Sequence, residues 1–226
     1  MPPEEKLYKI VEDYASQELG CDHVGQKVGT KHGIVDVVGV QELHGDFETH
    51  NEVIAIEVKD YRASFLSAVG QARSYSIYAH KCFLAYRKRY SDLLSFEEID
   101  IASQLGIGLI EIKNKKCTVL ATSASFSPRD SYVMTILNKL GLFRCAMCRA
   151  VYPLKDVMFV NQKGPIDMKS EHIYAGQMKK AIISRKNIRY SLIQLAEQRD
   201  ADERKYIFDQ RYLCKDCASI FASLMK

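Results

Sequence analysis

Two stretches of this chain have the composition of buried β-strands, and each carries ionisable groups where such a strand should carry none. The first is Ile34-Val35-Asp36-Val37-Val38-Gly39-Val40, and the second is Val53-Ile54-Ala55-Ile56-Glu57-Val58-Lys59-Asp60. β-Branched apolar runs bounded by turn residues read as strands. A carboxylate buried in such a run is costly unless a partner or a cation answers its charge. Any fold that accepts both runs must bring Asp36, Glu57 and Lys59 to a place where that happens.

Strand geometry supplies the place. Side chains alternate across a strand, so Glu57 and Lys59 share a face while Val58 points the other way. Pairing of the two runs through the polar connection 41–52 sets Asp36 across from Glu57. Two converging carboxylates suit a hard cation such as Mg²⁺ or Mn²⁺, which takes carboxylate, carbonyl, water and phosphate oxygens. The Val58 carbonyl is a further candidate ligand. Lys59 then stands beside the cation, placed to hold a phosphate oxygen or orient a water, as metal-assisted phosphodiester hydrolysis requires. The competing reading is an α/β domain whose Glu57 and Lys59 form a surface ion pair at a strand end.

Asp36 followed by Glu57-Val58-Lys59 resembles the signature of the PD-(D/E)XK nuclease superfamily, which includes restriction enzymes, Holliday-junction resolvases and RecB-like exonucleases. The order of elements from Tyr8 to Tyr86 is similar too: helix, strand, Asp-bearing strand, Glu-x-Lys strand, helix, strand. Val35 departs from the motif, whose name has Pro there. The resemblance covers roughly residues 5–122 and implies a restriction-endonuclease-like α/β core, a mixed central sheet flanked by helices. It implies Mg- or Mn-dependent cleavage, with Asp36 and Glu57 on the metal and Lys59 stabilising charge or positioning water. Glu12, on a predicted first helix over 5–18, takes the acidic position that several subfamilies place there, as a second-metal or helix-side contact. Gln71-Ala72-Arg73-Ser74-Tyr75 resembles the Gln-x-x-x-Tyr step of the RecB-like enzymes. Gln71 and Tyr75 lie one helical turn apart and are expected to hold the substrate backbone. By the same analogy a homodimer is the expected assembly.

Beyond these strands the pattern predicts a helix over 63–79 and a buried strand at Lys81–Tyr86. Ser95 followed by Glu98 is a capping-box signature, predicting a helix that ends near Gly106. A strand pair follows at 108–112 and 117–121, joined by a basic turn. The stretch 123–130 has linker character. Next comes a short helix with Val133, Ile136, Leu137 and Leu140 on one face and Gly141 as its stop. The expected division is a nuclease-like domain over 1–126 and a smaller zinc-binding α+β domain over 127–226.

That second domain is announced by cysteines. Cys145-Ala-Met-Cys148 and Cys214-Lys-Asp-Cys217 are two Cys-x-x-Cys pairs, each able to fill two corners of a tetrahedral zinc site. Their flanks, Phe143-Arg144 and Tyr212-Leu213, resemble zinc-ribbon knuckles. The long insertion between the pairs does not forbid their meeting, because loop-closure cost grows slowly with length. Disulfides are disfavoured in an intracellular chain, and neither pair has the context of a thioredoxin-like motif. An iron–sulfur cluster, which some RecB-like nucleases carry, ranks behind zinc because these cysteines follow the core instead of bracketing it. Cys82 and Cys117 read as small core residues and Cys21 as a loop thiol.

Charge separates the halves. Residues 1–144 hold 17 Lys and Arg against 19 Asp and Glu, whereas 145–226 hold 15 against 9. Lys179, Lys180, Arg185, Lys186 and Arg189 cluster with Met178, Ile182 and Ile183 as a basic amphipathic helix. With Tyr174 and Tyr190 nearby, that helix suits phosphate contacts to a nucleic acid; a protein-facing or solvated face fits equally. The six histidines show no ligand spacing. The N-terminal Met-Pro-Pro-Glu-Glu-Lys lacks a signal-peptide core, and no run approaches the roughly 20 apolar residues of a membrane span. The expectation is a cytoplasmic, nucleic-acid-binding protein with no membrane partner. The function expected is a metal-dependent deoxyribonuclease, with RNA or branched DNA as further substrates left open. The alternative is a DNA-binding or assembly module on a degenerate nuclease fold.

Overall fold

The computed structural model describes residues 4–44, 49–89, 92–156, 158–161, 164–167 and 212–224. The chain divides into two compact units, one running to Leu140 and the other beginning at Gly141. Among the described residues, no helix is long and apolar enough to cross a membrane.

The first unit is a mixed α/β structure on a six-stranded sheet in the order β1-β2-β3-β4-β5-β6. Helix α1 (Glu5–Gln17) precedes β1 (His23–Thr30), β2 (Gly33–His44) and β3 (Thr49–Asp60). Helix α2 (Phe65–Ser74) and a 3₁₀ turn (Tyr75–Ile77) lead to β4 (Lys81–Arg87), and α3 (Phe96–Gln104) leads to β5 (Gly108–Lys113) and β6 (Lys116–Ala121). β1 runs antiparallel to β2, β4 runs parallel to both β3 and β5, and β6 is antiparallel to β5. Helical crossovers are what parallel strands require, and α2 and α3 provide them.

Local chemistry accounts for most of these elements. Leu7, Tyr8, Val11 and Ala15 recur on one side of α1 and are buried. They pack with Val37, Ile54, Ile56, Val58, Phe83, Ala85 and Ile110 from four strands. The Ser95–Glu98 capping box is formed in both directions, with the Ser95 hydroxyl accepting from the Glu98 amide at 3.2 Å and the Ser95 amide donating to the Glu98 carboxylate at 2.8 Å. The β5–β6 turn carries Asn114 and Lys115 at φ 50 and 62, the paired left-handed residues of a two-residue hairpin.

Two expectations shift. The helix predicted over 63–79 spans only Phe65–Ser74 before tightening into the 3₁₀ turn. Cys21, expected as a loop thiol, is 4% exposed and belongs to the core. Gly39 makes the room, since a Cβ there would lie 2.3 Å from the Cys21 sulfur. Burial pushes the Cys21 thiol up to about 12.

Helix α4 (Asp130–Lys139) buries Val133, Met134, Ile136 and Leu137. It groups with the first unit, so the division falls after Leu140 instead of at residue 126. The reason is packing: Leu140 covers Gly25 of β1, where a Cβ would come within 2.4 Å of it, and Tyr132 meets Tyr78 edge-on at 5.2 Å. Gly141, at φ 73, then turns the chain out of the helix.

The second unit has a two-stranded antiparallel sheet of β7 (Leu142–Arg144) and β8 (Val151–Pro153). A three-stranded sheet is ordered β10 (Gly164–Asp167), β9 (Met158–Asn161), β11 (Tyr212–Leu213). Helix α5 (Lys215–Leu224) follows. The basic helix expected around Lys179, Lys180, Arg185, Lys186 and Arg189, with Tyr174 and Tyr190, lies outside the described residues.

Candidate active site and four-cysteine cluster

Adjacency of β2 and β3 brings Asp36 and Glu57 together. The Asp36 carboxylate accepts from the Val58 amide at 2.9 Å and from the Tyr8 hydroxyl at 3.0 Å. Glu57, with no exposed surface, meets the Lys59 ammonium through Oε1 and the Tyr75 hydroxyl through Oε2, each at 2.5 Å. Both Glu57 oxygens are thus answered, Oε1 by the Lys59 ammonium and Oε2 by the Tyr75 hydroxyl.

Burial, and then the nearby Asp36 charge, push the Glu57 carboxyl up to about 7 despite opposing help from Lys59 and Tyr75. Burial works against the Lys59 ammonium, but Glu57 and Asp36 outweigh it and hold its pKa above the ordinary lysine value. The site is thus a pair of sunken carboxylates that resist carrying two negative charges, with one ammonium beside them. Its donors are all oxygens, and two of them are carboxylates on neighbouring strands. That set fits a hard divalent cation.

The remaining expected residues fall into place unevenly. Gln71 donates to the Tyr75 hydroxyl at 3.2 Å, and Tyr75, only 5% exposed, also lies 3.0 Å from the Ile34 carbonyl. The pair therefore buttresses Glu57, where an open substrate contact was expected. The Val58 amide is committed to Asp36 and its side chain to the α1 side of the core. Glu12 is held elsewhere, accepting from Gln26 at 2.8 Å and Lys9 at 3.1 Å.

One contact at the site carries no mark in the sequence. Tyr8, one turn before Glu12, is the residue of α1 that touches Asp36. Lys27, at φ 52, falls between the Gln26–Val37 and Val28–Val35 pairs of the β1–β2 register, and its ammonium pairs with Glu5. Tyr8 had no local signal, because it reaches Asp36 through space from another element.

In the second unit the four sulfurs of Cys145, Cys148, Cys214 and Cys217 all lie within 4.8 Å of one another. A tetrahedral zinc with sulfur ligands at about 2.3 Å needs sulfurs roughly 3.8 Å apart. Cys148 and Cys214 stand at 4.0 Å. The Cys145 carbonyl accepts the Arg149 amide at 3.0 Å, with Arg149 at φ 65 folding the loop back. The Cys214 amide points at Cys145 Sγ (3.4 Å) and the Cys217 amide at Cys214 Sγ (3.5 Å). Burial opposes the Cys214 thiolate, but the Cys217 amide and Tyr152 hydroxyl outweigh it and its pKa falls. Phe143, Leu213, Ala218, Tyr152 and Leu154 wrap the cluster. These residues can hold a metal ion, consistent with structural zinc.

The chain matches no protein-family model and no curated protein. A solved protein of unknown function from Silicibacter pomeroyi is similar to it at 15% sequence identity with a TM-score of 0.44, over 62% of this chain and 84% of that one.

Proposed function

We propose that this chain is a divalent-metal-dependent nuclease of the PD-(D/E)XK type, acting on DNA, with a zinc-stabilised second unit. The observation that carries the reading is the meeting of Asp36, Glu57 and Lys59 at one buried point on neighbouring strands. The element order helix, three strands, helix, parallel strand supports a restriction-endonuclease-like core. Asp36 and Glu57 would hold Mg²⁺ or Mn²⁺, which supplies Lewis-acid polarisation of the phosphate and a more acidic water.

Lys59, partly exposed beside Glu57, holds a phosphate oxygen or orients the attacking water. Tyr75, fixed by Gln71, keeps Glu57 in its rotamer, and Tyr8 does the same for Asp36. The cysteine unit supplies a rigid second body for substrate or a partner, held by Zn²⁺ through four thiolates.

The test is cleavage of linear, single-stranded and branched DNA with Mg²⁺ or Mn²⁺, beside Glu57→Ala. Metal-dependent cleavage that the variant loses supports the enzyme. Failure of the wild type on every substrate and metal tried refutes it. One observation favours the second reading, a binding module on a degenerate nuclease fold: the Asp36 and Glu57 carboxylates both already meet protein groups. Retained DNA binding without cleavage would select that reading.

A further inference from the structure

At the carboxyl ends of β3, β4 and β5 lies a cleft of about 340 Å³ lined by Tyr61, Arg87, Arg89 and Lys113, with Lys88, Asp92 and Glu111 on its walls. Ligands of sheets with parallel strands bind characteristically at this end. The register pairs Lys59 with Tyr86 and Asp60 with Arg87. The cleft therefore opens at the end of the sheet where Lys59 lies, one residue further on.

Its lining carries four cations, Arg87, Lys88, Arg89 and Lys113, against two carboxylates, Asp92 and Glu111. Lys88 is neutralised by Glu98 at 2.6 Å, and Glu111 accepts from the Leu94 amide at 3.3 Å. Asp60, 1% exposed, takes Arg62 in a two-pronged grip at 2.8–3.2 Å and Arg87 only at 3.6 Å. One buried carboxylate thus serves two guanidinium groups and fixes Arg87 without cancelling it. Among the described residues, Arg89 and Lys113 have no carboxylate partner. Tyr61 is 45% exposed, with the Arg89 guanidinium 5.6 Å from its ring centre. Cations above a strand end with an exposed ring among them form an anion site with a stacking platform.

We propose that this cleft takes one unpaired nucleotide of the nucleic-acid substrate, next to the cleavage site. Arg89 and Lys113 contact its phosphate, Arg87 is held ready by Asp60, and the base extends the Arg89–Tyr61 stack. A cleft of this volume has room for about one nucleotide, and a base reaches the exposed Tyr61 ring face only when it is not stacked and paired inside a helix. The placement beside a cleavage site rests on the nuclease reading above; the binding of a strand does not.

The experiment is fluorescence anisotropy on the full chain without divalent metal, using a labelled single-stranded DNA oligonucleotide and its duplex across a salt series. The variants are Tyr61→Ala and the double variant Arg89→Ala with Lys113→Ala, with folding checked by circular dichroism. The double variant should weaken single-strand binding and flatten the slope of its salt dependence by roughly 0.7 for each phosphate no longer gripped. Tyr61→Ala should weaken single-strand binding about tenfold, leaving salt dependence and duplex binding unchanged. Wild-type affinity and salt slope in the double variant, or equal effects of Tyr61→Ala on single strand and duplex, overturn the assignment. Wild type that binds no single strand overturns it as well. A wild type that never cleaves, but whose cleft variants lose single-strand binding, refutes the nuclease reading and leaves the cleft standing.

Discussion

Replacing Glu57 by Gln should make the metal-free protein more stable, a reversal that separates a functional carboxylate from a structural one. Glu57 has no exposed surface, and its pKa is raised from 4.5 to about 7 by burial first and Asp36 second. A raised carboxyl pKa favours folding fully below the unfolded value and loses that favour as pH rises through the folded one. At pH 8 the ionised group therefore costs the fold about 3 kcal/mol, from some 2.5 pH units at about 1.36 kcal/mol each. Gln removes that cost, and the raised pKa already nets the help that Lys59 and Tyr75 give the carboxylate. The gain is about 3 kcal/mol, or roughly 6–12 °C in Tm for a chain of this size. Thermal unfolding of metal-free wild type and Glu57→Gln at pH 8 and pH 4.5 measures it. The gain should appear at pH 8, shrink through the window from 7 to 4.5, and vanish below. A variant less stable than wild type at pH 8 would show that Glu57 is a structural ion-pair partner of Lys59, and the reasoning would fail.

Other outcomes follow from the same geometry. Divalent-metal affinity at Asp36 and Glu57 should fall about tenfold per pH unit below the Glu57 pKa near 7 and level off above it, because one proton leaves as the metal binds; isothermal titration calorimetry across pH reads this, and a flat profile contradicts it. The full chain should carry one zinc per molecule by elemental analysis, and Cys214→Ser should release it and expose the second unit to proteolysis; intact metal content in that variant would refute the four-cysteine site. Gly39→Ala should destabilise by about 1–3 kcal/mol through overpacking against Cys21, and Cys21→Ala should recover part of the loss, whereas additive effects in the double variant would mean the two do not touch. Glu12→Gln should leave cleavage near wild type, because Glu12 is committed to Gln26 and Lys9; a loss as deep as that of Glu57→Ala would return Glu12 to the site.

Local pattern carried much of this protein. The apolar runs around Asp36 and Glu57, the Ser95–Glu98 capping box, the α4 stripe ending at Gly141 and the two Cys-x-x-Cys pairs were legible because each is a short-range rule, a period or a spacing. The mixed α/β class and the four-cysteine cluster follow from these rules alone. Tertiary structure decided what touches what. It brought Tyr8 to Asp36 while leaving Glu12 with Gln26 and Lys9, turned Tyr75 inward onto Glu57, buried Cys21 against Gly39, and drew α4 onto β1. It also gathered Tyr61, Arg87, Arg89 and Lys113 from the ends of three strands into one cleft. Most of these contacts join segments distant in sequence, and no residue in them carries a local mark of its partner. Sequence determines which faces must be covered and which charges must be answered; packing alone determines by what.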